Sequence, residues 1–459
     1  RIKAACGCVM SKTDKTAIVI LAAGHGTRMK SQLPKVLHPV GGLPMLGHVV
    51  GVAGAIAAER LCVVIGDHAP EVGEAARGFA PEAQVFVQAP PRGTGDAVTC
   101  AMPGLEGFEG VVFVLYADTP LIKPETLHEM AALVAEGAGV VVLGFRPDDP
   151  KLYGRLVTGE GYALERIVEA RDASPEELAV TLCNSGVMAM RSDVLAQELP
   201  KITNDNAKGE YYLTDIVGLA RAAGATARVV ECDEEEVMGV DSRLGLSEAE
   251  AVYQARRREE AMLSGVTLYD PQTVYFSHDT KLAQDVRVGQ NVVFGPGVTV
   301  ESHAEIKAFS HLEGVQVKSG AAVGPFARLR PGTVVGEEAK IGNFVEVKKA
   351  VLGNGAKVSH LSYIGDAEIG AEANIGAGTI TCNYDGFRKY KTVIGNGAFV
   401  GSNSSLVAPV TVGAGAYVGS GSVVTKDVEP DALAVARGRQ MQKTGWALGF
   451  RQKMTSRDS

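Results

Sequence analysis

A chain of 459 residues is too long for one hydrophobic core, so two or three domains are expected. The hydrophobic share of 46% and the formal net charge of −8 are typical of a cytosolic protein and argue against a basic nucleic-acid-binding surface. The sequence has no apolar run of about eighteen residues, which a membrane span would require. We therefore expect a cytoplasmic protein that binds small molecules and has no nucleic-acid or membrane partner.

The cysteines and the first residues point to no particular function. The seven cysteines are scattered and contain no CxxC pair, which favours reduced thiols over disulfides or a zinc site. Arg1 is not an initiator and Met-Ser-Lys at 10–12 resembles a native start, so residues 1–9 are interpreted as an extension and residues 1–15 as disordered. The apolar run 17–23 could imitate a signal peptide, but it is short and leads directly into a polar loop.

The sequence from residue 16 to about 240 alternates compact apolar runs with helical stretches. This alternation predicts a Rossmann-like α/β domain, in which helices cover a mostly parallel sheet and ligands gather at the carboxyl ends of the strands. The predicted strands are 17–21, 61–65, 111–115 and 139–144, and the predicted helices include 45–58 and 124–135.

The first predicted strand runs into a glycine-rich loop. The loop reads Leu-Ala-Ala-Gly-His-Gly-Thr-Arg-Met over 21–29, and Leu-Pro-Lys follows at 33–35. Small residues let the backbone approach phosphates and offer N–H donors, while Arg28 and Lys35 bring positive charge to them. The spacing is neither that of a GxGxxG dinucleotide loop nor that of a P-loop. The complete run instead resembles the signature of sugar-phosphate nucleotidylyltransferases.

More of that family's pattern follows in order. Gln88, with Arg-Gly-Thr-Gly at 92–95, resembles the base-recognition segment of the uridylyl branch, since a side-chain amide can donate to and accept from the edge of uracil. Asp118 ends a predicted strand, where its carboxylate could bridge Mg²⁺ and a triphosphate, although a helix or turn cap is the structural alternative. The family usually has glycine in place of Ala117.

The sugar-binding segments and a second metal ligand also resemble the family. Glu169 and Asn184 are suited to bind sugar hydroxyls or an N-acetyl group, and the segments concerned are 153–155, 167–169 and 183–186. The stretch 206–215 also resembles the family, with packing and sugar contacts both possible. Asp241 stands where the family normally has an asparagine ligand, so tighter metal binding is expected. The resemblance implies metal ligation by Asp118 and Asp241, and nucleotide or sugar contacts by Leu21, Ala22, Gly24, Arg28, Lys35, Gln88, Gly93, Thr94, Tyr116, Gly154, Glu169 and Asn184.

Residues 244–262 are rich in Glu, Ala and Arg and lack Gly and Pro after Gly245, which predicts one exposed helix between two rigid bodies. Beyond it, small aliphatic or aromatic residues recur every six positions, usually with glycine nearby. The predicted inward residues are Val288, Phe294, Val300, Ile306, Leu312, Val323, Leu329, Val335, Ile341, Val347, Ile394, Val400, Leu406, Val412, Val418 and Val424.

A six-residue period predicts short strands joined by corners. Three sides make a coil of eighteen residues, and coils stacked about 4.8 Å apart form a triangular prism, the left-handed parallel β-helix. Residues 266–428 would give about nine such coils. A generic β-rich region is the alternative, but the period holds over many repeats.

Two positively charged side chains in the repeats indicate more than a solvent-exposed structural wall. Arg330 and Lys348 are eighteen residues apart in an unbroken register, so we expect them one above the other on one side of the prism. Two stacked cations repel each other unless an anion bridges them. The pair therefore predicts a phosphate site.

A histidine and a break in the period follow this pair. His360 is the best candidate for a general base, because a neutral imidazole can remove a proton near pH 7, although a lone histidine is more often structural. The period stops between Thr381 and Ile394, and an insertion in a repeat must leave the wall as a loop, usually on the binding face. This loop could reach a neighbouring prism.

The whole arrangement resembles the bacterial enzymes that are both N-acetylglucosamine-1-phosphate uridylyltransferases and glucosamine-1-phosphate acetyltransferases. The resemblance runs from residue 17 to about 446 and is most specific at 374–386. It implies a uridylyltransferase domain at 16–241, a linker helix at 242–264 and an acetyltransferase domain at 265–459. It also implies Mg²⁺ at the UTP site, acetyl-CoA as the second substrate, a homotrimer with acetyl-CoA where prisms meet, and UDP-N-acetylglucosamine, a cell-wall precursor, as the product.

The same resemblance assigns roles in acetyl transfer. His360 would deprotonate the amine of glucosamine-1-phosphate, and Glu346 could orient it. The family often has alanine at Ser420, and Arg439 competes with Arg437 for a coenzyme contact. The implied contacts to substrate and acetyl-CoA are Arg330, Lys348, Tyr363, Asn374, Asn383, Tyr384, Ser402, Ser420 and Arg437.

Two other interpretations remain open from the sequence. In one, the chain is a monofunctional nucleotidylyltransferase whose prism only oligomerises it or binds regulators, so that neither His360 nor the loop at Asn383 is needed. In the other, it is a non-catalytic assembly subunit of the translation-exchange type. That interpretation requires a decayed phosphate loop, yet Gly24, Arg28 and Lys35 are present, as is Asp118.

Overall fold

The computed structural model describes residues 15–206 and 208–455. The chain divides into two compact units, with the boundary between Arg256 and Arg257. The predicted disordered extension falls on residues 1–15 and, apart from Lys15, lies outside the described residues. Within the described ranges, every helix is too short or too polar to cross a bilayer.

The first unit is built on a mixed sheet. Its strands are β1 (Thr16–Ala22), β2 (Pro39–Val40), β3 (Leu43–Pro44), β4 (Arg60–Gly66), β5 (Gln84–Gln88), β6 (Val111–Tyr116), β7 (Val140–Phe145), β8 (Arg155–Thr158), β9 (Leu164–Val168), β10 (Cys183–Arg191) and β11 (Ala227–Cys232). The main path is β11-β7-β10-β6-β1-β4-β5, and β10 is the antiparallel strand in it. The prediction of a mostly parallel sheet is confirmed.

Helices connect these strands and cover both faces of the sheet. The α-helices of the described part of the chain are α1 (Met45–Ala55), α2 (Pro70–Phe79), α3 (Thr94–Ala101), α4 (Pro124–Ala135), α5 (Pro175–Leu178), α6 (Ser192–Glu198), α7 (Asp215–Ala222), α8 (Arg243–Leu263) and α9 (Trp446–Thr455). Short 3-10 helices span Thr27–Met29, Lys35–Leu37, Met102–Leu105, Glu160–Tyr162, Leu199–Lys201, Glu234–Glu236 and Pro271–Thr273. Helix α4 has the predicted bounds, whereas α1 ends three residues earlier than predicted.

Strand β1 lies in the middle of the sheet and is buried on both faces. Ile18 and Ile20 belong to the apolar cluster on one face, and Ala17 and Val19 belong to the cluster on the other. A strand buried on both faces is apolar throughout, and all seven of its residues are buried. This central strand therefore delivers the glycine-rich loop to the edge of the sheet where its neighbours β4 and β6 also end.

Helix α8 confirms the predicted helix at 244–262, but the prediction that it is exposed was wrong for several residues. Ala249 belongs to a buried cluster with Val40 and Met45, and the side chains of Gln254 and Arg258 are buried. Arg258 donates from Nε to the carbonyl oxygen of Val274 at 2.9 Å. A long aliphatic stem lets such charged residues pack against apolar surface, which a composition-based prediction misses.

The second unit is a prism of parallel strands in three walls. The first wall contains Thr267–Leu268, Arg287–Val288, Glu305–Ile306, Ala322–Val323, Lys340–Asn343, Lys357–His360, Asn374–Ile375, Phe399–Val400, Tyr417–Val418 and Leu433–Ala434. The second contains Val293–Phe294, His311–Leu312, Arg328–Leu329, Ile380–Cys382, Ser405–Val407 and Val423–Val424. The third contains Lys281–Leu282, Thr299–Val300, Val315–Val317, Thr333–Val335, Thr392–Ile394 and Val410–Val412, and the strands Glu346–Leu352 and Tyr363–Ile369 run through both the second and third walls.

The register of the strands matches the predicted coil with local deviations. Arg287 pairs with Glu305, eighteen residues later, but Glu346 pairs with Tyr363, only seventeen residues later. Ile380 pairs with Ser405 across twenty-five residues, because the segment after Cys382 leaves the wall. All sixteen predicted inward residues lie in one buried apolar core. The predicted β-helix and the predicted insertion are therefore confirmed.

Candidate active sites

The first unit has a cavity of about 550 Å³ at the carboxyl ends of β1, β5 and β6. Most of the predicted nucleotide and sugar residues line it: Leu21, Ala22, Gly24, Lys35, Gln88, Gly93, Thr94, Tyr116, Asp118, Glu169 and Asn184. Three predicted residues of this site remain. The backbone N–H of Asn184 donates to the carbonyl oxygen of Gly154 at 2.8 Å, and Arg28 and Asp241 form an ion pair at 2.8 Å. The structure therefore gathers residues that are far apart in the sequence.

Lys35 lies between two carboxylates at one end of this cavity. Its Nζ is 2.5 Å from Asp118 Oδ2 and 2.8 Å from Asp241 Oδ1. Burial favours the neutral amine, but the two carboxylates outweigh it and raise the pKa of Lys35 above its ordinary value. Gly26, at φ 59°, permits the close approach, since a Cβ there would lie 2.6 Å from Lys35 Cβ. The two carboxylates thus converge on a single cation.

The predicted sugar residues Glu169 and Asn184 line the same cavity. Asn184 Oδ1 accepts from the backbone N–H of Gly186 at 2.9 Å, which fixes the side chain at the bulge of β10. Burial raises the pKa of Glu169, and Lys208 opposes this shift. Burial also raises the pKa of Tyr116, so its hydroxyl stays protonated. The cavity therefore combines neutral and charged groups that can bind hydroxyls.

Four residues of this cavity lie in the stretch 206–215, for which the sequence left both packing and sugar contacts possible. They are Lys208, Glu210, Tyr212 and Thr214. His25 also lines the cavity and was not predicted; its ring is tilted against that of His68, with 4.1 Å between centroids. His25 lies between the two glycines of the loop, and this position within the motif is the sequence feature that could have identified it.

In the second unit, the structure places a carboxylate beside Arg330, one of the two predicted cations. Arg330 donates from Nη1 to Glu346 Oε1 at 2.9 Å, so Glu346 does not contact His360 as the sequence suggested. Leu329 pairs with Val347, which puts Arg330 and Lys348 at matching positions of neighbouring strands. The predicted stacking of Arg330 and Lys348 is therefore present, but Glu346 neutralises part of the positive charge of the pair.

A third cation, Lys389, joins this group and was not predicted. Its side chain contacts that of Lys348, and this contact lowers the pKa of Lys389. Lys389 lies in the inserted segment, which folds back through an antiparallel bridge between Tyr384 and Lys389. No feature of the local sequence distinguishes Lys389 from an ordinary exposed lysine, since only the fold of the insertion brings it to Lys348.

His360 is exposed at the end of its strand, and its ring is held by a neighbour. Nδ1 lies 2.7 Å from Asn343 Oδ1, and the two residues pair in the parallel register. An amide oxygen only accepts, so Nδ1 carries the proton and Nε2 is the free, basic nitrogen. Asn343 was not predicted, because its relation to His360 depends on the seventeen-residue length of this coil.

Tyr363 and Asn383 meet above Gly365. A Cβ added at Gly365 would lie 2.5 Å from the Tyr363 hydroxyl and 2.7 Å from Asn383 Nδ2. Asn383 is buried, and its Nδ2 donates to Asp366 at 2.5 Å. The structure thus brings the predicted residues Tyr363 and Asn383 together, and their positions require a glycine at 365.

The other predicted residues of this unit lie elsewhere within the single chain. Asn374 is on the first wall between Lys357 and Phe399, a different wall from Tyr363. Tyr384 is exposed on the insertion. Ser402 and Ser420 occupy corners of adjacent coils, since the backbone N–H of Gly421 donates to the carbonyl oxygen of Ser402 at 2.8 Å. Arg437 Nη1 donates to the carbonyl oxygen of Ser420 at 2.7 Å.

Comparison with known proteins identifies the family. Residues 18–208 match the MobA-like NTP transferase domain, and residues 391–426 match the bacterial transferase hexapeptide (six repeats). The bifunctional protein GlmU of Azorhizobium caulinodans is 58% identical over 434 residues, covering 95% of this chain and 97% of the relative. The bifunctional protein GlmU of Paramagnetospirillum magneticum is 55% identical over 451 residues, covering 97% of this chain and 98% of the relative.

The chain belongs to the GlmU family. Its membership confirms the predicted fold class, an α/β nucleotidyltransferase domain followed by a β-helix of hexapeptide repeats. It also confirms the prediction of one bifunctional enzyme that is both a uridylyltransferase and an acetyltransferase. The monofunctional and non-catalytic interpretations are not supported.

Replacing Gly365 with alanine is expected to lower acetyl transfer about 10²-fold, because a misplacement of about 1 Å at a substrate-positioning residue can have this effect. The added methyl group would displace Tyr363 or Asn383. Release of the CoA thiol measures the rate. Gly51→Ala is the matched control, since a Cβ at Gly51 meets nothing within 4 Å. Unchanged acetyl transfer in Gly365→Ala would show that Tyr363 and Asn383 do not position the substrate.

Proposed function

We propose that the first unit transfers a uridylyl group from UTP to N-acetylglucosamine-1-phosphate. A phosphate oxygen of the sugar would attack the α-phosphorus of UTP, and the bond to the bridging oxygen would break with release of pyrophosphate. The observation that carries this proposal is the cavity itself, in which the phosphate loop, Gln88 and Glu169 share one space. Little covalent work falls to the protein in such a reaction, so positioning and charge neutralisation dominate.

The residues present fit a Mg²⁺ ion at Asp118 and Asp241. Their carboxylates already converge on one cation, the Lys35 ammonium group. The described residues contain no cluster of three or more His, Cys, Asp or Glu side chains suited to a metal. One or two carboxylates completed by substrate phosphates are, however, the usual ligands of Mg²⁺. When bound, the ion would neutralise phosphate charge, while Arg28 and Lys35 would hold the triphosphate.

An Asp241→Asn variant is expected to need about tenfold more Mg²⁺ for half-maximal uridylyl transfer, the equivalent of ~1.4 kcal/mol. The substitution removes one negative charge from the proposed metal site and leaves Asp118 paired with Lys35. Pyrophosphate release measured across a Mg²⁺ titration tests this expectation. An unchanged Mg²⁺ dependence would contradict it, and acetyl transfer by the same sample provides the control for folding.

In the second unit, the proposed reaction is acetyl transfer from acetyl-CoA to the amine of glucosamine-1-phosphate. His360 Nε2 would take a proton from the amine, the amine nitrogen would bond to the acetyl carbon, and the bond to sulfur would break to release CoA. The hydrogen bond from Nδ1 to Asn343 supports this role, because it keeps Nε2 available. Tyr363, Asn374 and Asn383 are proposed to orient the sugar.

Three cations support a phosphate site for this substrate. Arg330, Lys348 and Lys389 bring positive charge to one region, and the lowered pKa of Lys389 means that an anion would relieve the repulsion from Lys348. Acetyl-CoA is proposed to contact the insertion and the corners at Tyr384, Ser402, Ser420 and Arg437. Arg437 is favoured over Arg439 by its hydrogen bond to Ser420.

The remaining parts of the proposal concern organisation. The uridylyltransferase domain is placed at 16–241, the linker helix at 242–264 and the acetyltransferase domain at 265–459. We propose a cytoplasmic homotrimer in which neighbouring prisms complete the acetyl-CoA site. Two observations support a neighbouring prism as partner. Asn374 lies on a different wall from Tyr363, and Phe387 at the tip of the insertion is exposed. Light scattering of the purified protein measures the mass in solution, and a monomer would contradict the trimer.

Two separate assays on the purified wild-type chain test the proposed function. One follows CoA release with glucosamine-1-phosphate and acetyl-CoA, and the other follows pyrophosphate release with N-acetylglucosamine-1-phosphate and UTP. Both reactions are expected, with UDP-N-acetylglucosamine as the final product. Loss of either reaction in the folded protein would contradict the corresponding half of the proposal.

A further inference from the structure

We propose that Asp96 decides which end of the Gln88 side-chain amide faces the bound base, and that it thereby makes the first unit select uracil over cytosine. The inference rests on the proposed uridylyl transfer. Asp96 is not among the residues that line the cavity, so it would act as a positioning residue through Gln88.

Gln88 is the last residue of β5, and its side chain is almost fully buried with 3% of its surface exposed. Its Nε2 donates to Asp96 Oδ2 at 2.8 Å and to the carbonyl oxygen of Gly93 at 3.0 Å. A side-chain amide has two N–H donors, and both are engaged here. The oxygen Oε1 is therefore the part of the amide that remains to bind a ligand in the cavity.

Asp96 enforces this orientation together with the Gly93 carbonyl group, because a carboxylate and a carbonyl oxygen accept hydrogen bonds and cannot donate them. If Gln88 were turned over, two oxygens would face each other in a buried place, which is costly. The carboxylate is itself held, because its other oxygen, Oδ1, accepts from Arg92 Nη2 at 2.7 Å. Asp96 also lies in the first turn of α3, where the helix dipole favours a negative charge.

An acceptor at this position distinguishes the two pyrimidines. The ring N3 of uracil carries a hydrogen and donates to Gln88 Oε1. The ring N3 of cytosine is itself an acceptor, so two acceptors would face each other and remain unpaired. A site that hydrogen-bonds an N–H of its substrate can reject an analogue that lacks it by about 10⁴-fold.

The Asp96→Asn variant tests the proposal. Arg92 still requires an acceptor and is expected to take the Asn oxygen, which turns the Asn NH₂ group toward Gln88. Gln88 would then turn its oxygen to that NH₂ group, give up its hydrogen bond to the Gly93 carbonyl oxygen, and present its own N–H to the base. The ratio of kcat/KM for UTP to kcat/KM for CTP is expected to fall at least about tenfold. Asp96→Glu, which can only accept, is expected to retain the wild-type preference.

Asp193→Asn is the matched control, because Asp193 also pairs with an arginine but lies at the surface far along the chain. If Asp96→Asn slows both nucleotides equally and keeps the wild-type ratio, Asp96 is only structural and the proposal is overturned. Thermal unfolding checks the fold of each variant. Should Asp96→Asn be unfolded, Asp96→Ala removes the acceptor without adding a donor, and an unchanged ratio in that variant overturns the proposal equally.

The assay separates this proposal from the proposed function. If the wild-type chain transfers neither nucleotide to the sugar phosphate, the proposed function fails and this inference fails with it. If the wild type uses UTP and the folded variants keep its preference for UTP over CTP, only the role of Asp96 is wrong.

Discussion

A His360→Ala variant is expected to lose about 10²- to 10⁴-fold in the rate of acetyl transfer and to keep its uridylyl transfer. Alanine removes the base that accepts the proton of the amine, and the contact between Nδ1 and Asn343 disappears with it. The exposed position of His360 means that little packing is lost, so the stability of the prism should change little. CoA release and pyrophosphate release, measured on the same preparation, check both expectations.

His311→Ala is a suitable control, because His311 is also an exposed histidine on a short strand of the prism. It is expected to leave acetyl transfer unchanged. Full acetyl transfer in His360→Ala would show that another group, or water alone, removes the proton. A loss of both activities in His360→Ala would instead indicate a general folding defect.

An Asp118→Ala variant is expected to show the opposite pattern, with uridylyl transfer lowered about 10²-fold or more and acetyl transfer retained. Asp118 is one of the two carboxylates proposed to hold Mg²⁺, and it also makes the 2.5 Å contact that holds Lys35 in the cavity. Its loss would therefore weaken both charge neutralisation and the position of a triphosphate-binding cation. Pyrophosphate release from UTP is the measurement.

Asp118→Asn separates the two effects, since the amide keeps the size of the side chain and removes its charge. It is expected to bind Lys35 and UTP better than the alanine variant but to remain slow at high Mg²⁺. If Asp118→Ala retained full uridylyl transfer with unchanged Mg²⁺ dependence, Asp118 would be only a structural partner of Lys35.

The repeats show why a fold can be predicted from local sequence. An inward position every sixth residue, such as Val288 or Val418, needs only a strand and a corner, and both are short-range properties of the chain. The same reasoning failed for α8, where Gln254 and Arg258 are buried. Burial of a polar side chain depends on partners from other segments, and composition carries no record of them.

Most of the residues predicted for the first site line one cavity, and they could be found from the sequence because they lie in contiguous motifs. Gly24 and Asp118 follow the strands β1 and β6, Gln88 ends β5, and parallel strands bring their carboxyl ends to the same edge of the sheet. The pairing of Gln88 with Asp96 was not predicted, although only eight residues separate them. Its geometry depends on how the strand turns into α3, which the motif alone does not specify.

In the prism, the six-residue period by itself determined the walls, the inward residues, the stacking of Arg330 on Lys348 and the place of the insertion. Only the tertiary structure decided the contacts of His360, which binds Asn343 and not Glu346, and the approach of Lys389 to Lys348. The physical reason is that a period fixes which wall a residue faces. A side-chain contact between coils also requires the length of each coil, seventeen or eighteen residues here, and the path of the insertion.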